Sequence, residues 1–309
     1  MNFKKIYLEI TNQCNLSCSF CSKTSRPPRR MTLEEFSYAA RQVRSYTQHI
    51  YLHVKGEPLL HPSLGDFLDI AWEEGLQVNL TTNGTLLSSK QALLLSKPAL
   101  RQVNISLHSL PEQHGQHSSV GFTQQDYLES CIRFAKAASN RSVGPCYTVF
   151  RMWNLDSQNA EPFDKEKSSF SPKQQQNQQI LQFLQAAFSP AGPPLTQTVP
   201  CRSRTLMSNV FFSQETSFVW PSLSHPHRSN EGFCHGGRRM LAVLADGSVV
   251  PCCLDGDGIM ELGNLFQTPL SEILATRRYQ EMVQGLSRRL LTEPLCQRCS
   301  YRTRFDRPL

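Results

Sequence analysis

The 309-residue chain lacks any run of 18 consecutive apolar residues, and so offers no transmembrane helix. Its opening stretch, MNFKKIYLEITNQC, breaks up its few apolar positions with polar ones and has no secretory-signal core. Charge is also in modest supply: 32 Lys and Arg against 25 Asp and Glu leave a net +7, too small a surplus to indicate a nucleic-acid partner. Cysteine, at 11 residues, is too sparse for a disulfide-scaffolded secreted domain, and the odd count would leave one thiol over. These absences point to a cytoplasmic protein that keeps its thiols reduced. A hydrophobic content of 39% is enough for a buried core and excludes wholesale disorder.

The cysteines that are present are distributed unevenly. Seven of the 11 fall into two groups near opposite ends of the chain, the pattern of metal ligands rather than of scattered core thiols. Between the groups the sequence keeps a strand–helix rhythm. Residues 3–10, 49–54, 76–81, 102–107 and 146–153 read as strands. Residues 32–46, 64–74, 88–96, 123–138 and 177–188 read as helices, the first capped by Thr32 and the second stopped by Gly75. Five or six such units predict parallel βαβ architecture, with functional residues just past the C-terminal strand ends. The tract 174–179, QQQNQQ, is too short for a prion-like patch and reads as a solvated helix start.

The rhythm breaks after residue 188. The segment 191–231 is rich in Pro and Ser and reads as a linker with one strand near 209–212. From Gly232 a smaller module follows, with a hairpin turning at Asp246-Gly247 and a helix over 270–286. The expected division is a barrel-type domain over 1–190, the linker, and the module over 232–309.

Cys14, Cys18 and Cys21 stand in CNLSCSFC, a C-x3-C-x2-C spacing. Structural zinc wants four protein ligands, and only His49 or His53, from another strand, is at hand. Three soft thiolates suit a cubane iron–sulfur cluster with one iron left open to a small chelating ligand. Followed after a strand by this loop, with Phe20 at the aromatic position, the motif resembles the C-x3-C-x-aromatic-C signature of radical S-adenosylmethionine (SAM) enzymes. The resemblance implies an α/β fold, a partial (β/α)6 TIM-like barrel. It implies that SAM chelates the open iron and is cleaved by one electron to methionine and a 5′-deoxyadenosyl radical that abstracts hydrogen from a substrate. It further implies catalytic roles for Cys14, Cys18 and Cys21.

Other positions follow from the same resemblance. Lys55-Gly56-Glu57-Pro58 is similar to the family's GGEP loop, which holds the SAM amino group; Lys stands here where the first Gly is usual. Gly56 suits close approach and Glu57 suits an ammonium partner. Thr82-Asn83-Gly84 resembles the family's TNG, with a plain turn as the competing reading. Ser106 matches a ribose-contacting position and Arg151 one that can fork onto the SAM carboxylate; both are also at home as ordinary strand residues.

At the other end, Cys234, Gly247 and Cys252 form C-x12-G-x4-C, and Cys296 and Cys299 add C-x2-C. On spacing alone, zinc and iron–sulfur are close rivals for such a four-thiolate site. The motif resembles the SPASM module that follows many radical SAM domains, as do Leu262–Leu265 (LGNL) and the helix after it. The full module carries seven cysteines and two clusters. The resemblance here extends to one auxiliary [4Fe–4S] cluster held by Cys234, Cys252, Cys296 and Cys299, with Cys253 as a rival for Cys252. Cys131, Cys146 and Cys201 read as buried small hydrophobes or surface thiols.

The functional expectation is a radical SAM oxidoreductase or maturase acting on a peptide or a small metabolite. Its partners would be an external one-electron donor such as flavodoxin or ferredoxin and, for a peptide, a separate leader-peptide-binding protein, since the first motif begins at residue 14. A non-catalytic zinc or iron–sulfur protein and an RNA-modifying radical enzyme are the alternatives. The RNA reading rests on basic patches alone, at residues 23–44 and 277–309. No RNA-binding motif accompanies them, and a solvated surface explains them as well.

Overall fold

In the computed structural model the described residues are 2–109, 123–155, 172–196, 203–216 and 218–305. They form two compact units, one of residues 1–80 with 218–309 and the other of residues 81–217.

In the first unit, β1 (Lys5–Leu8), β2 (His49–Tyr51) and β3 (Gln77–Thr82) run parallel, with Ile6 opposite Ile50 and Ile50 opposite Val78. Helices α1 (Leu33–Val43) and α2 (Leu64–Glu73) connect them. Thr32 and Glu35 form a reciprocal capping box that starts α1. Phe36 and Phe67 stack at 4.3 Å between the two helices, both fully buried.

On its other edge β1 pairs in parallel with β8 (Met240–Val243), which turns back into β9 (Ser248–Val250), and β9 pairs with β10 (Gly263–Asn264). The expected hairpin at Asp246-Gly247 is therefore present. Gly247 has φ +89°, and a Cβ there would lie 2.5 Å from both Asn264 and Phe266. That close approach is the physical reason for a glycine within C-x12-G-x4-C.

In the second unit, β4 (Leu100–Ser106), β5 (Tyr147–Leu155) and β7 (Val210–Thr216) run parallel, and β6 (Arg204–Met207) pairs antiparallel with β7. Helices α3 (Leu87–Ser96), α4 (Gln124–Ser139) and α5 (Pro172–Phe188) belong here. The glutamine tract lies inside α5, which starts five residues before the expected Asn177. Strand β7 is the sixth parallel strand and comes from the stretch read as linker. It forms a tight hairpin with β6 through Ser208-Asn209, where Asn209 adopts φ +61°, a conformation Asn tolerates. The strand expected near 209–212 is thus present and runs on to Thr216, with Val210 and Phe212 fully buried; its hairpin partner β6 is the strand that the polar, Pro-rich stretch masked.

The single helix expected over 270–286 is two, α6 (Leu270–Ala275) and α7 (Arg277–Ser287). Thr276 is extended (φ −61°, ψ 147°) and its hydroxyl caps α7, so the chain turns where the pattern ran on. A short α8 (Pro294–Arg298) carries Cys296. No helix among the described residues is long and apolar enough to cross a membrane.

Candidate cluster and cofactor sites

The loop after β1 is closed at its base before it reaches the cysteines. The Asn12 side chain donates to the Pro27 carbonyl at 2.8 Å and accepts from the Arg29 amide at 2.8 Å. The Thr11 hydroxyl donates to the Arg29 carbonyl at 3.1 Å, and Thr11 bridges to Arg30. Residues 13–26 thus form a loop with its ends pinned. Along it Cys14 and Cys21 are exposed and Cys18 is half-buried. The Leu16 amide donates to Cys14 Sγ at 3.4 Å, and the Cys21 amide donates to the Cys18 carbonyl at 3.1 Å. Three accessible thiols on one short loop form a donor set that fits a cluster with one coordination position left open. Phe20 lies among them, half-buried, and its carbonyl accepts a 3.0 Å hydrogen bond from the Trp220 indole.

Beneath this loop sits a buried ion pair that the sequence reading passed over. Glu9 is fully buried and accepts from Arg26 Nη2 at 2.6 and 2.8 Å, from the Lys55 amide at 2.9 Å and from the Ala245 amide at 3.0 Å. Burial raises its pKa, and Arg26 with the backbone donors opposes that shift. Its signal was a lone acid between Leu8 and Ile10, following the apolar run Ile6–Leu8.

The loop after β2 carries the next set of expected residues. Gly56 has φ +74°, and a Cβ there would lie 2.4 Å from the Thr11 carbonyl oxygen and 2.8 Å from that of Gln13. Only glycine lets this loop pack on the start of the cysteine loop, where the Glu57 amide also donates to the Gln13 carbonyl at 2.8 Å. Glu57 is buried, and one carboxylate oxygen accepts from the Leu59 amide at 3.0 Å, capping the turn Pro58–Leu60.

Three more expected residues lie in the second unit. Asn83 accepts from the amide and hydroxyl of Thr85 at 3.0 and 2.7 Å, and its carbonyl accepts from the Tyr127 hydroxyl at 2.8 Å. Ser106, nearly buried, stands opposite Arg151 in the β4–β5 register. Arg151 pairs with Glu215 at 3.7 Å, and its carbonyl contacts the ring of His108, which stacks on Trp153 at 4.1 Å.

The second cysteine group is assembled from separate segments. Cys234 precedes β8, Cys252 follows β9, Cys296 lies in α8 and Cys299 just beyond it; all four are half-buried. The Gly237 amide donates to the Pro251 carbonyl at 2.8 Å, tying the first two segments together. Burial raises the pKa of each thiol. Further upward pressure comes from Cys253, Cys234 and Cys296 on Cys252, from Cys234 and Cys299 on Cys296, and from Cys299 on Cys234. These couplings link the four thiols into one electrostatic group, a donor set whose chemistry fits a fully ligated cluster. Cys253 also interacts with Tyr7 and packs on the small core of Tyr7, Val54, Ala242, Leu244 and Val250. No disulfide forms among the described cysteines, and no three His, Cys, Asp or Glu side chains among the described residues converge on a single-ion site.

Cys131 and Cys146 are fully buried core thiols; burial pushes them up to about 12 and about 11. Cys201 lies outside the described residues.

Comparison with known proteins places these sites in a family. Residues 8–165 match the radical SAM superfamily, and residues 234–300 match SPASM, the iron-sulfur cluster-binding domain. The chain therefore belongs to the radical SAM superfamily. Its C-terminal part carries the SPASM match, so the family's [4Fe–4S] cluster, SAM and auxiliary iron-sulfur region are the cofactors these matches imply.

A probable GTP 3′,8-cyclase from Methanococcus maripaludis strain C7 is 34% identical over 119 residues, 37% of this chain and 40% of that protein. Among solved structures, BtrN in complex with AdoMet and 2-DOIA is similar over 97% of this chain and 94% of that one, with a TM-score of 0.56 at 16% identity. Streptococcus suis SuiB bound to the precursor peptide SuiA is similar over 99% and 74%, with a TM-score of 0.56 at 12% identity. These likenesses establish the α/β fold, a partial TIM-like barrel with a C-terminal module.

Proposed function

We propose that Cys14, Cys18 and Cys21 bind a [4Fe–4S] cluster with one iron reserved for SAM, and that the enzyme modifies a peptide or small metabolite. When bound, cluster and SAM together supply a one-electron cleavage that yields methionine and a 5′-deoxyadenosyl radical able to take a substrate hydrogen. The observation that carries the proposal is the pinned loop with three accessible thiols, inside the stretch that matches the superfamily.

The chain's own contribution is positional. Asn12 and Thr11 hold the loop at its base. Gly56 lets the loop after β2 approach it, and Glu57 shapes that loop where the SAM amino group is expected. Phe20 lines the same cysteine loop. In the second unit Asn83, Ser106 and Arg151 are the candidates for further SAM contacts; the Glu215 partner would keep the Arg151 guanidinium oriented until a carboxylate displaces it. Cys234, Cys252, Cys296 and Cys299 are assigned one auxiliary cluster without an open position, suited to electron transfer or structure. The likeness to SuiB with its precursor peptide supports a peptide substrate, and that to BtrN with 2-DOIA supports a small metabolite.

Anaerobic reconstitution with iron and sulfide, then dithionite and SAM, should release 5′-deoxyadenosine. Faster release on adding a peptide or a metabolite identifies the substrate class. No release from protein with a loaded first cluster, or zinc in place of iron and sulfide, would sink the proposal.

A further inference from the structure

Lys55 is the residue at which this chain departs from the family loop, and its surroundings are unusual for a lysine. It is 5% exposed. Its Nζ donates to the Ser22 carbonyl at 2.8 Å and to the Ser22 hydroxyl, one residue beyond Cys21. The ammonium sits 3.7 Å from the centre of the Trp220 ring, and that indole holds the Phe20 carbonyl, one residue before Cys21. The side-chain stem occupies the space that a Cβ on residue 256 would need. The cysteine loop is therefore gripped on both sides of Cys21 by one lysine and the ring beneath it.

Electrostatics gives the grip a second consequence. Burial lowers the pKa of the amine and Arg26 adds to that, while Cys21, Asp257 and Glu9 oppose the shift and favour the charged form. Hydrogen bonds to Ser22 and the face of Trp220 also stabilise a cation. We infer that Lys55 is a positioning residue that places a positive charge beside Cys21 and thereby raises the reduction potential of the cluster on that loop. The inference rests on the reading that Cys14, Cys18 and Cys21 hold that cluster. Reduction adds one electron, and hence one negative charge, to the site; the electron comes from the external donor. A nearby cation in a partly desolvated setting favours the more negative state, and in such a setting a single charge changes an equilibrium by about tenfold.

The test is a potentiometric titration of reconstituted protein followed by electron paramagnetic resonance, reading only the signal that shifts when SAM is added. That criterion separates the first cluster from the auxiliary one. Lys55→Met and Lys55→Gln should bind iron as the unaltered enzyme does. At a fixed potential their reduced-to-oxidised ratio should be about tenfold lower, equivalent to ~59 mV for one electron. Lys55→Arg should restore the original midpoint.

Unchanged midpoints in the neutral variants overturn the inference. So does failure of both neutral variants to load the first cluster, which would make Lys55 structural only. Absence of any SAM-responsive signal in the unaltered, iron-loaded enzyme would instead overturn the underlying assignment of Cys14, Cys18 and Cys21.

Discussion

Cys14, Cys18 and Cys21 share one short loop and stand largely open to solvent, whereas Cys234, Cys252, Cys296 and Cys299 come from separate segments and are half-buried against one another. The first arrangement suits exchange of a small ligand at the site, because nothing in the loop itself supplies a fourth thiol. The second suits permanence. Its segments are joined by backbone hydrogen bonds, such as Gly237 to Pro251 at 2.8 Å and Arg228 to Gln297 at 3.0 Å. The lesson is that an open and a closed thiolate site can be told apart by how many chain segments supply the donors.

The largest effect expected from this contrast is at the open site. Cys18→Ala should drop 5′-deoxyadenosine release to the enzyme-free background while iron falls by about one four-iron cluster. Retention of normal release would break the contrast, because the open site would then not be the seat of SAM cleavage.

A smaller effect sharpens the closed site. Cys252→Ser should lose the auxiliary cluster's iron and impair substrate turnover, yet leave release of 5′-deoxyadenosine measurable, since the open site is intact. Cys253→Ser should keep both clusters and cost only about 1 kcal/mol through its lost Tyr7 contact. The paired measurement is iron content with urea unfolding, and iron loss in the Cys253 variant instead would reverse the ligand assignment.

How legible these sites were depended on whether the signal was local. CNLSCSFC declares its chemistry within eight residues, and Gly247 declared the hairpin through a two-residue turn. The alternating strands and helices were readable because β1 to β5 are apolar runs bounded by caps and glycines. Strand β7 was readable only at its apolar start, Val210 to Phe212, and its partner β6 was not, because Arg204–Met207 is short and follows a polar, Pro-rich approach. The break at Thr276 escaped notice because Leu270, Ile273, Leu274 and Tyr279 keep apolar positions on both sides of it. The Lys55 and Glu9 contacts could not have been read at all. Glu9 meets Arg26 and the amide of Ala245, and Lys55 meets Trp220, pairings set by tertiary approach rather than by spacing.

Cys146 belongs to neither group and calibrates both, since it is a cysteine with a packing role alone. It is fully buried on the second unit's core, and burial pushes its thiol from 9.0 to about 11, with nearby Arg141 opposing. A raised folded-state pKa means that the unfolded chain loses its proton first. The neutral thiol's contribution is therefore complete below about pH 9 and disappears as pH climbs from about 9 to about 11. Other buried thiols shift in the same direction, so the informative quantity is the difference between the unaltered protein and Cys146→Ala. In urea unfolding that difference should shrink across this window by no more than ~2–3 kcal/mol. A constant difference from pH 8 to 11 would show that Cys146 is hydrated enough to ionise in the folded state, and would remove the inert reference against which the two ligand groups are distinguished.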